Sequence, residues 1–175
     1  ALAEEVASLL SLWNRRTARE DPSLFTALHS SPDATARLSA MIAADPSVPG
    51  SLQVRLAQFA EETDVIIPEM TRCLRRGDVP ALRELVARSQ ANAETALRNQ
   101  IAETVHLAHR ATELGAAAAS AFGAGFGGSV WALVRDEDVA NFATRWRDDY
   151  LTQFPARRQR AEFFASRPGP AAREL

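Results

Sequence analysis

Apolar residues recur with a helical period over most of the chain. At the start, Val6, Leu9, Leu10 and Trp13 follow the i, i+3, i+4, i+7 spacing that places apolar side chains on one face of an α-helix. The same kind of spacing predicts further helices over 34–44, 51–76, 81–97, 102–114 and 136–154, with a short helix or turn over 23–29.

Proline and glycine residues divide these helical patterns. Pro32 is expected at the first position of the second long helix, and 45–50 is interpreted as a connector. Ser51 is expected to cap the next helix, which Gly77 ends. Pro68 lies inside that helix, where it should cause a kink or an interruption because proline lacks an N–H and its ring clashes with the preceding turn.

A glycine-rich stretch separates two short runs of strand type. Residues 116–122 are small and apolar, and 130–134 are apolar and typical of a strand. Four of the eight glycines lie between these runs, within six residues. We call 123–129 the glycine loop; it consists of Gly123, Ala124, Gly125, Phe126, Gly127, Gly128 and Ser129. We expect its glycines to lie in one turn between antiparallel strands, some of them at positive φ.

The order of elements predicts an α+β fold. A final strand is expected over 162–167, after the last helix. Several helices, two strands joined by a loop, another helix and a last strand are typical of helices packed on one face of a small antiparallel sheet.

The letters of the glycine loop match two familiar phosphate-binding patterns, and both matches fail on their context. Gly123, Gly125 and Gly128 fit G-x-G-x-x-G, but a dinucleotide-binding fingerprint opens a helix, whereas a strand follows here. Extended to Val130, the letters fit the protein-kinase loop, which requires a lysine on the next strand. All 20 basic residues of this chain are arginine.

Two readings of the glycine loop therefore stay open. In the structural one, the N–H groups of the loop are used inside a tight hairpin. In the functional one, they point into a cleft and are available to a phosphate or to another loop. We favour the functional reading because four glycines exceed what a simple tight hairpin needs.

Composition excludes several classes of function. The 175 residues are 46% hydrophobic and 24% charged with a net charge of −2, which is ordinary for a soluble globular protein, and no basic stripe points to nucleic acid. We expect neither a signal peptide nor a membrane helix. The single cysteine, Cys73, cannot form an internal disulfide and lies in a helical pattern, so we expect a buried thiol and a cytoplasmic location.

The remaining polar residues predict no catalytic or metal site. His106 and His109 share a helix face, but H-E-x-x-H is absent and no third ligand stands out. Ser120 and Ser129 flank the loop without the G-x-S-x-G context of a serine nucleophile.

Two acidic pairs receive the same interpretation. Asp148 and Asp149 are adjacent on a helix and point in different directions, so a solvated face is expected there, and likewise for Glu61 and Glu62.

The segment from Leu114 to Val134 resembles the third signature motif of the GHMP kinases. After Leu114 and Gly115, residues 121–134 read A-F-G-A-G-F-G-G-S-V-W-A-L-V. The version most similar to it is that of galactokinases, roughly G-A-(basic)-M-T-G-(G/A)-G-F-G-G-C followed by two hydrophobic residues and A-L-V.

Residues upstream resemble the same family. The stretch 55–89 is similar to the family's R…E…A-L-x-x-G-D…L…S-H, and 100–104 stands where galactokinases have S-x-P-E-L. Ser120 replaces a basic residue and Phe122 replaces a threonine of the galactokinase pattern. Two further departures are Gln90 for histidine and Gln100 for serine.

The resemblance implies a single domain over 1–175, with a helical lead-in over 1–50 and a ferredoxin-like α+β core over 51–168. It also implies a missing N-terminal kinase domain of the same polypeptide. In the family, that domain supplies the ATP loop P-x-x-x-G-L-S-S-S, the catalytic aspartate, the metal-binding acid and most sugar contacts, which have no counterpart here. We interpret the start of the chain on Ala1, inside a helical pattern, as a cut within a longer protein.

The implied function is that of the C-terminal domain of a galactokinase-like GHMP sugar kinase, whose intact parent uses ATP and Mg²⁺ to phosphorylate a sugar hydroxyl. The glycine loop would border the phosphate and substrate site. The chain alone is expected to be inactive, to hold neither cofactor, and to form a homodimer or leave an apolar cleft beside the loop. The alternative, motivated by Ser120 and Phe122, is a non-catalytic binding or regulatory module that keeps the hairpin as structure.

Overall fold

The computed structural model describes residues 2–167 and 169, which form two compact units that meet in sequence between Gln100 and Ile101. The helices of the first unit are α1 (Leu2–Thr17), α2 (Leu24–Leu28), α3 (Ala34–Ala44), α4 (Ser51–Glu61), α5 (Ile67–Arg76) and α6 (Val79–Thr95). The second unit has α7 (Ala102–Glu113), β1 (Ala118–Phe122), β2 (Ser129–Leu133) and α8 (Val139–Gln153), with short 3₁₀ segments at Asp136–Asp138 and Pro155–Arg157.

The core of the first unit contains the apolar face predicted for α1. Leu9 and Trp13 are completely buried, and Val6 and Leu10 pack against the same cluster. The buried members of this cluster come from α1 to α4: Leu9, Leu12, Trp13, Leu24, Ala27, Leu28, Ala34, Leu38, Ile42, Leu52 and Leu56. The predicted lead-in therefore shares its core with the first helix after residue 50. The single-domain description of the chain stays a prediction.

A buried carboxylate connects α1 to the turn that precedes α2. Trp13 Nε1 donates a hydrogen bond to Asp21 Oδ2 at 2.9 Å, and the Arg19 guanidinium donates to both oxygens of Asp21 at 2.7 and 2.9 Å. These bonds, that from Arg19 above all, hold the pKa of Asp21 below its ordinary value. No pattern in the sequence indicates this cluster, which closes the first turn of the chain.

The predicted starts and ends of the helices are confirmed in outline and differ in detail. Pro32 lies in the turn before α3, two residues ahead of its first helical position, so it does not occupy that position. Ser51 is the first residue of α4 and Gly50 is its N-cap, without a side-chain capping bond. Gly77 ends α5 in the left-handed conformation at φ 67°, as expected for a helix C-terminus.

The interruption expected at Pro68 takes the form of a π-helical turn. Residues Glu62–Ile66 are π-helical, and the N–H of Ile67 donates to the carbonyl of Glu62, five residues earlier. Pro68 follows directly, at the start of α5. Because proline offers no N–H to the preceding turn and crowds it, the wider turn accommodates the ring without ending the helix.

The prediction of a solvated face for Glu61 and Glu62 is wrong. Glu61 accepts hydrogen bonds from Arg88 and from Asn92 Nδ2, the latter at 2.9 Å, and Glu62 accepts one from Ser89 Oγ at 2.9 Å. The bonds from Asn92 and then from Arg88 lower the pKa of Glu61. The two acids therefore connect the end of α4 and the start of the π-helical turn to α6. Their partners lie too far along the sequence to be seen in a local pattern.

The second unit contains the antiparallel hairpin that the sequence predicts. β1 pairs with β2 from Phe122 opposite Ser129 to Ala118 opposite Leu133. One face of the hairpin packs on α7 and α8 through a core of Ala111, Ala116, Ala119 and Phe142. Helices packed with a small antiparallel sheet confirm the α+β class. Among the described residues the sheet has these two strands.

The strand predicted over 162–167 is wrong, since these residues have no regular secondary structure. Phe163 instead packs its ring edge-on against Trp146, with centroids 5.4 Å apart, and against Tyr150 at 5.8 Å. Phe164 points the other way and is 82% exposed. One aromatic ring held by α8 thus replaces the backbone pairing that a third strand would need. Pro168, the last residue of the predicted core, lies outside the described residues.

The thiol of Cys73 is buried and free, as predicted. Over the residues that the structure describes, no helix combines the length and apolar character needed to cross a membrane.

Candidate functional site

The glycine loop connects the two strands of the hairpin through six residues that form no hydrogen-bonded turn. Residues 123–128 form consecutive bends between the strands. All four glycines have positive φ, namely 89° at Gly123, 83° at Gly125, 113° at Gly127 and 103° at Gly128. The predicted geometry, four glycines in one connection between antiparallel strands with positive φ, is confirmed. Only glycine adopts such values without strain, which explains why this backbone needs them.

The middle of the loop offers free backbone donors. For the N–H groups of Gly125, Phe126 and Gly127, the described part of the chain supplies no backbone hydrogen-bond partner. A simple tight hairpin would use such groups across the turn. The arrangement therefore favours the functional reading of the loop, in which the donors face outward.

Phe126 is the one loop residue other than glycine with a positive φ, at 61°. Its side chain is 68% exposed. An aromatic residue in the left-handed region is strained, and such strain persists where the surroundings or a function require it. The sequence marks Phe126 as part of the loop, but nothing in its letters indicates this conformation.

One side of the loop rests on the start of α7. A Cβ placed on Gly127 would lie 3.3 Å from Ile101 Cδ1, whereas a Cβ at Gly123 or Gly128 would meet nothing within 4 Å. Ile101 is the N-cap residue of α7, and its N–H donates to Thr104 Oγ1 at 3.2 Å. Sequence reasoning did not find this contact.

The outer face of the hairpin is apolar and exposed. We use this name for the side chains of Phe122, Trp131 and Leu133, which alternate with the inward-facing Ala119 and Ala132. Phe122 is 60% exposed, and the other two are exposed as well. Apolar surface is thus present beside the glycine loop, as expected, while the homodimer and the cleft stay predictions.

A polar cluster connects α7 to α8. Asp149 accepts from Arg110 Nε at 3.0 Å and Nη2 at 2.8 Å through Oδ1, and from His106 Nε2 at 2.8 Å through Oδ2. The bonds from Arg110, and further that from His106, hold the pKa of Asp149 below its ordinary value against the opposing effect of burial.

This cluster corrects the solvated-face prediction for Asp149, whose side chain is only 24% exposed. Asp148, by contrast, is exposed and pairs with its neighbour Arg147 at 2.9 Å. The two adjacent acids point in different directions, as predicted, but one of them points inward. Among the described residues, no group of three or more His, Cys, Asp or Glu side chains is placed to hold a metal ion.

The first unit has a cleft of about 420 Å³ that the sequence did not indicate. The connector 45–50 and the start of α1 contribute to it, with both acidic and basic side chains. Its lining is Glu4, Glu5, Ser8, Leu12, Arg15, Asp45, Ser47, Val48, Pro49, Ser51 and Leu52.

The hairpin, its glycine loop and the helices beneath it define the class of the protein as α+β with an exposed backbone loop as its candidate site. Residues 70–151 match the sequence family described as GHMP kinases C terminal. The resemblance found in the motifs is thus confirmed: residues 70–151 are similar to the C-terminal domain of GHMP kinases.

Comparison of structures gives the same result. The crystal structure of Lactococcus lactis galactokinase complexed with galactose matches the chain with a TM-score of 0.66 and 21% sequence identity. The match covers 88% of this chain and 37% of the galactokinase chain, so this chain spans well under half of that protein. At this identity, the likeness is one of fold. No curated protein matches the chain in sequence.

Proposed function

We propose that the chain is the C-terminal domain of a galactokinase-like GHMP sugar kinase, which transfers a phosphoryl group from ATP to a sugar hydroxyl. One observation carries this proposal: a segment that matches the family presents a loop with four glycines at positive φ, and the N–H groups of Gly125, Phe126 and Gly127 have no backbone partner among the described residues. In the intact parent, this loop borders the phosphate and substrate site.

The chemistry of the loop suits phosphoryl transfer. The transferred group carries negative charge on its oxygens, and enzymes stabilise it by position and electrostatics more than by covalent chemistry. Backbone N–H groups held at fixed positions provide such stabilisation. The loop 123–129 has no acid, base or thiol, so its proposed role is to position phosphate oxygens and not to move a proton.

The residues present fit ATP better than they fit Mg²⁺. Open space around Gly123 and Gly128 leaves room for a ligand to approach the backbone closely. Magnesium prefers carboxylate and water oxygens, and the loop contains no carboxylate. We therefore assign phosphate contacts to this loop, and assign the metal ligands and most sugar contacts to the N-terminal domain of a cytoplasmic parent enzyme.

The test is Gly125→Val in the intact parent. A β-branched residue at φ 83° should cost about 1–3 kcal/mol of stability, since that region strongly disfavours side chains. The proposal also requires a large loss of activity or of ATP affinity in protein that is still folded.

Gly115→Val is the matched control. Gly115 has φ 108°, lies outside the glycine loop, and has nothing within 4 Å of an added Cβ. The Gly115→Val variant should have the same kind of backbone strain and keep its activity. Equal activity of the two variants, after correction for the folded fraction, would refute the phosphate-positioning role.

A second candidate is a non-catalytic binding or regulatory module. The exposure of Phe122, at a position where the family pattern has threonine, favours it, because an exposed apolar ring replaces a hydroxyl there. The parent sequence separates the two: an intact P-x-x-x-G-L-S-S-S upstream supports the kinase, and a damaged one supports the module.

A further inference from the structure

We propose that Ile101 is a positioning residue for the glycine loop: its side chain supports the backbone at Gly127 and so holds the loop where it meets a phosphate. This inference rests on the proposed function, because it assigns Ile101 a role in the same site. Ile101 lies far from the loop in sequence, at the start of α7, and is not itself in contact with substrate.

The contact distinguishes Gly127 from Gly123 and Gly128. The 3.3 Å between Ile101 Cδ1 and an added Cβ on Gly127 is tighter than nine in ten real contacts of a Cβ. Gly128, the next residue, has a similar φ of 103° against 113°, but a Cβ there would meet nothing within 4 Å. The absence of a side chain at Gly127 thus allows the loop to lie directly on Ile101, whereas Gly128 faces open space.

Ile101 is in turn held by helix α7. The N–H of Ile101 donates to Thr104 Oγ1 at 3.2 Å, and the Thr104 hydroxyl donates to the Ile101 carbonyl at 3.1 Å. The N–H of Val105 donates to the same carbonyl at 3.0 Å. Thr104 is buried. The first turn of α7 therefore fixes the support, and a supported loop has fewer backbone conformations from which its donors could miss the phosphate.

Kinetics of the intact parent test the role. Ile101→Ala should lower kcat/KM for ATP by about tenfold, because displacement of the loop by a fraction of an ångström weakens its stabilisation of the transition state. The KM for the sugar should stay unchanged. Val105→Ala, one helical turn further along α7, is the matched control for lost side-chain volume. Ile101→Ala with kinetics equal to those of Val105→Ala overturns the proposal.

A rescue experiment distinguishes positioning from a general loss of stability. Ile101→Val removes the Cδ1 methyl that an added Cβ at Gly127 would strike. It should therefore raise the activity of Gly127→Ala by at least about threefold, as expected for residues in direct contact. The same change should bring no gain to Gly128→Ala, which has no clash with Ile101 to relieve, although both alanines are strained by their φ. Equal responses of the two glycine variants also overturn the proposal.

The Gly125→Val variant separates failure of this inference from failure of the proposed function. If Gly125→Val keeps full activity, the loop has no phosphate role and both ideas fail. If Gly125→Val is inactive while Ile101→Ala behaves as its control does, the proposed function stands and the role of Ile101 alone is refuted.

Discussion

Replacing Phe126 by glycine is expected to give a more stable chain than replacing it by alanine. Phe126 has φ 61°, in the left-handed region. An L-residue there is strained by roughly 1–2 kcal/mol, and glycine is not. Both substitutions remove the same ring, which is 68% exposed, so the loss of its partial burial cancels in the comparison.

The unfolded chain reduces the difference between the two variants. Glycine gains more freedom on unfolding than alanine, which costs about 0.5–1 kcal/mol of stability. The net advantage of Phe126→Gly over Phe126→Ala is therefore about 0–1.5 kcal/mol, with a central value of roughly 0.75 kcal/mol, from strain relief less this entropy. For a chain of this size, 1 kcal/mol corresponds to roughly 2–4 °C in Tm.

Thermal and urea unfolding of the 175-residue chain, followed by circular dichroism, measures this difference. Ala124→Gly is the control within the same loop, because Ala124 is not among the residues with positive φ. At that position glycine only raises the conformational entropy of the unfolded chain, so Ala124→Gly should be less stable than the unchanged chain. The strained conformation would be contradicted if Phe126→Gly were no more stable than Phe126→Ala. It would also be contradicted if glycine in place of alanine changed the stability in the same direction at positions 126 and 124.

Two further predictions concern charge and activity. The lowered pKa of Asp149 means that its contribution to stability is fully present above the ordinary aspartate pKa of about 3.9 and is lost as the pH falls to the lowered value. In urea unfolding at decreasing pH, Asp149→Asn should flatten the acid side of the stability profile, whereas Asp148→Asn, at the exposed neighbour, should not; identical profiles would contradict the inward-facing cluster. The chain alone, incubated with ATP, Mg²⁺ and a panel of sugars, should release no ADP above background, and turnover abolished by a substitution within the chain would disprove this.

Local chemistry explains what the sequence could predict. The four glycines of the loop, the flanking apolar runs and the stop at Gly77 each act over a few residues, and all three appear where expected. The face of α1 with Leu9 and Trp13 follows from helical period alone. The family motif added what no period could supply, namely the kind of ligand that such a loop would meet.

What the sequence could not predict depends on partners distant in the chain. Asp149 binds His106 and Arg110, which lie 43 and 39 residues away, so a local pattern shows only an acid on a helix. The segment 162–167 has the composition of a strand, but a strand exists only with a neighbour to pair with, and Phe163 packs on α8 instead. The contact between Ile101 and Gly127 is likewise a product of tertiary packing.

The π-helical turn at Glu62–Ile66 can be described as a one-residue insertion in a longer α-helix. A ring closed from Ile67 to Glu62 contains one residue more than the usual i to i+4 ring. Each added residue rotates everything after it by about 100° around the helix axis. Because of this rotation, the two parts of the long helix pack against different helices. α4 packs against α1 and α3, whereas α5 packs against α6. An aligned relative without the extra residue should therefore show a single-position gap here, together with a different packing face downstream.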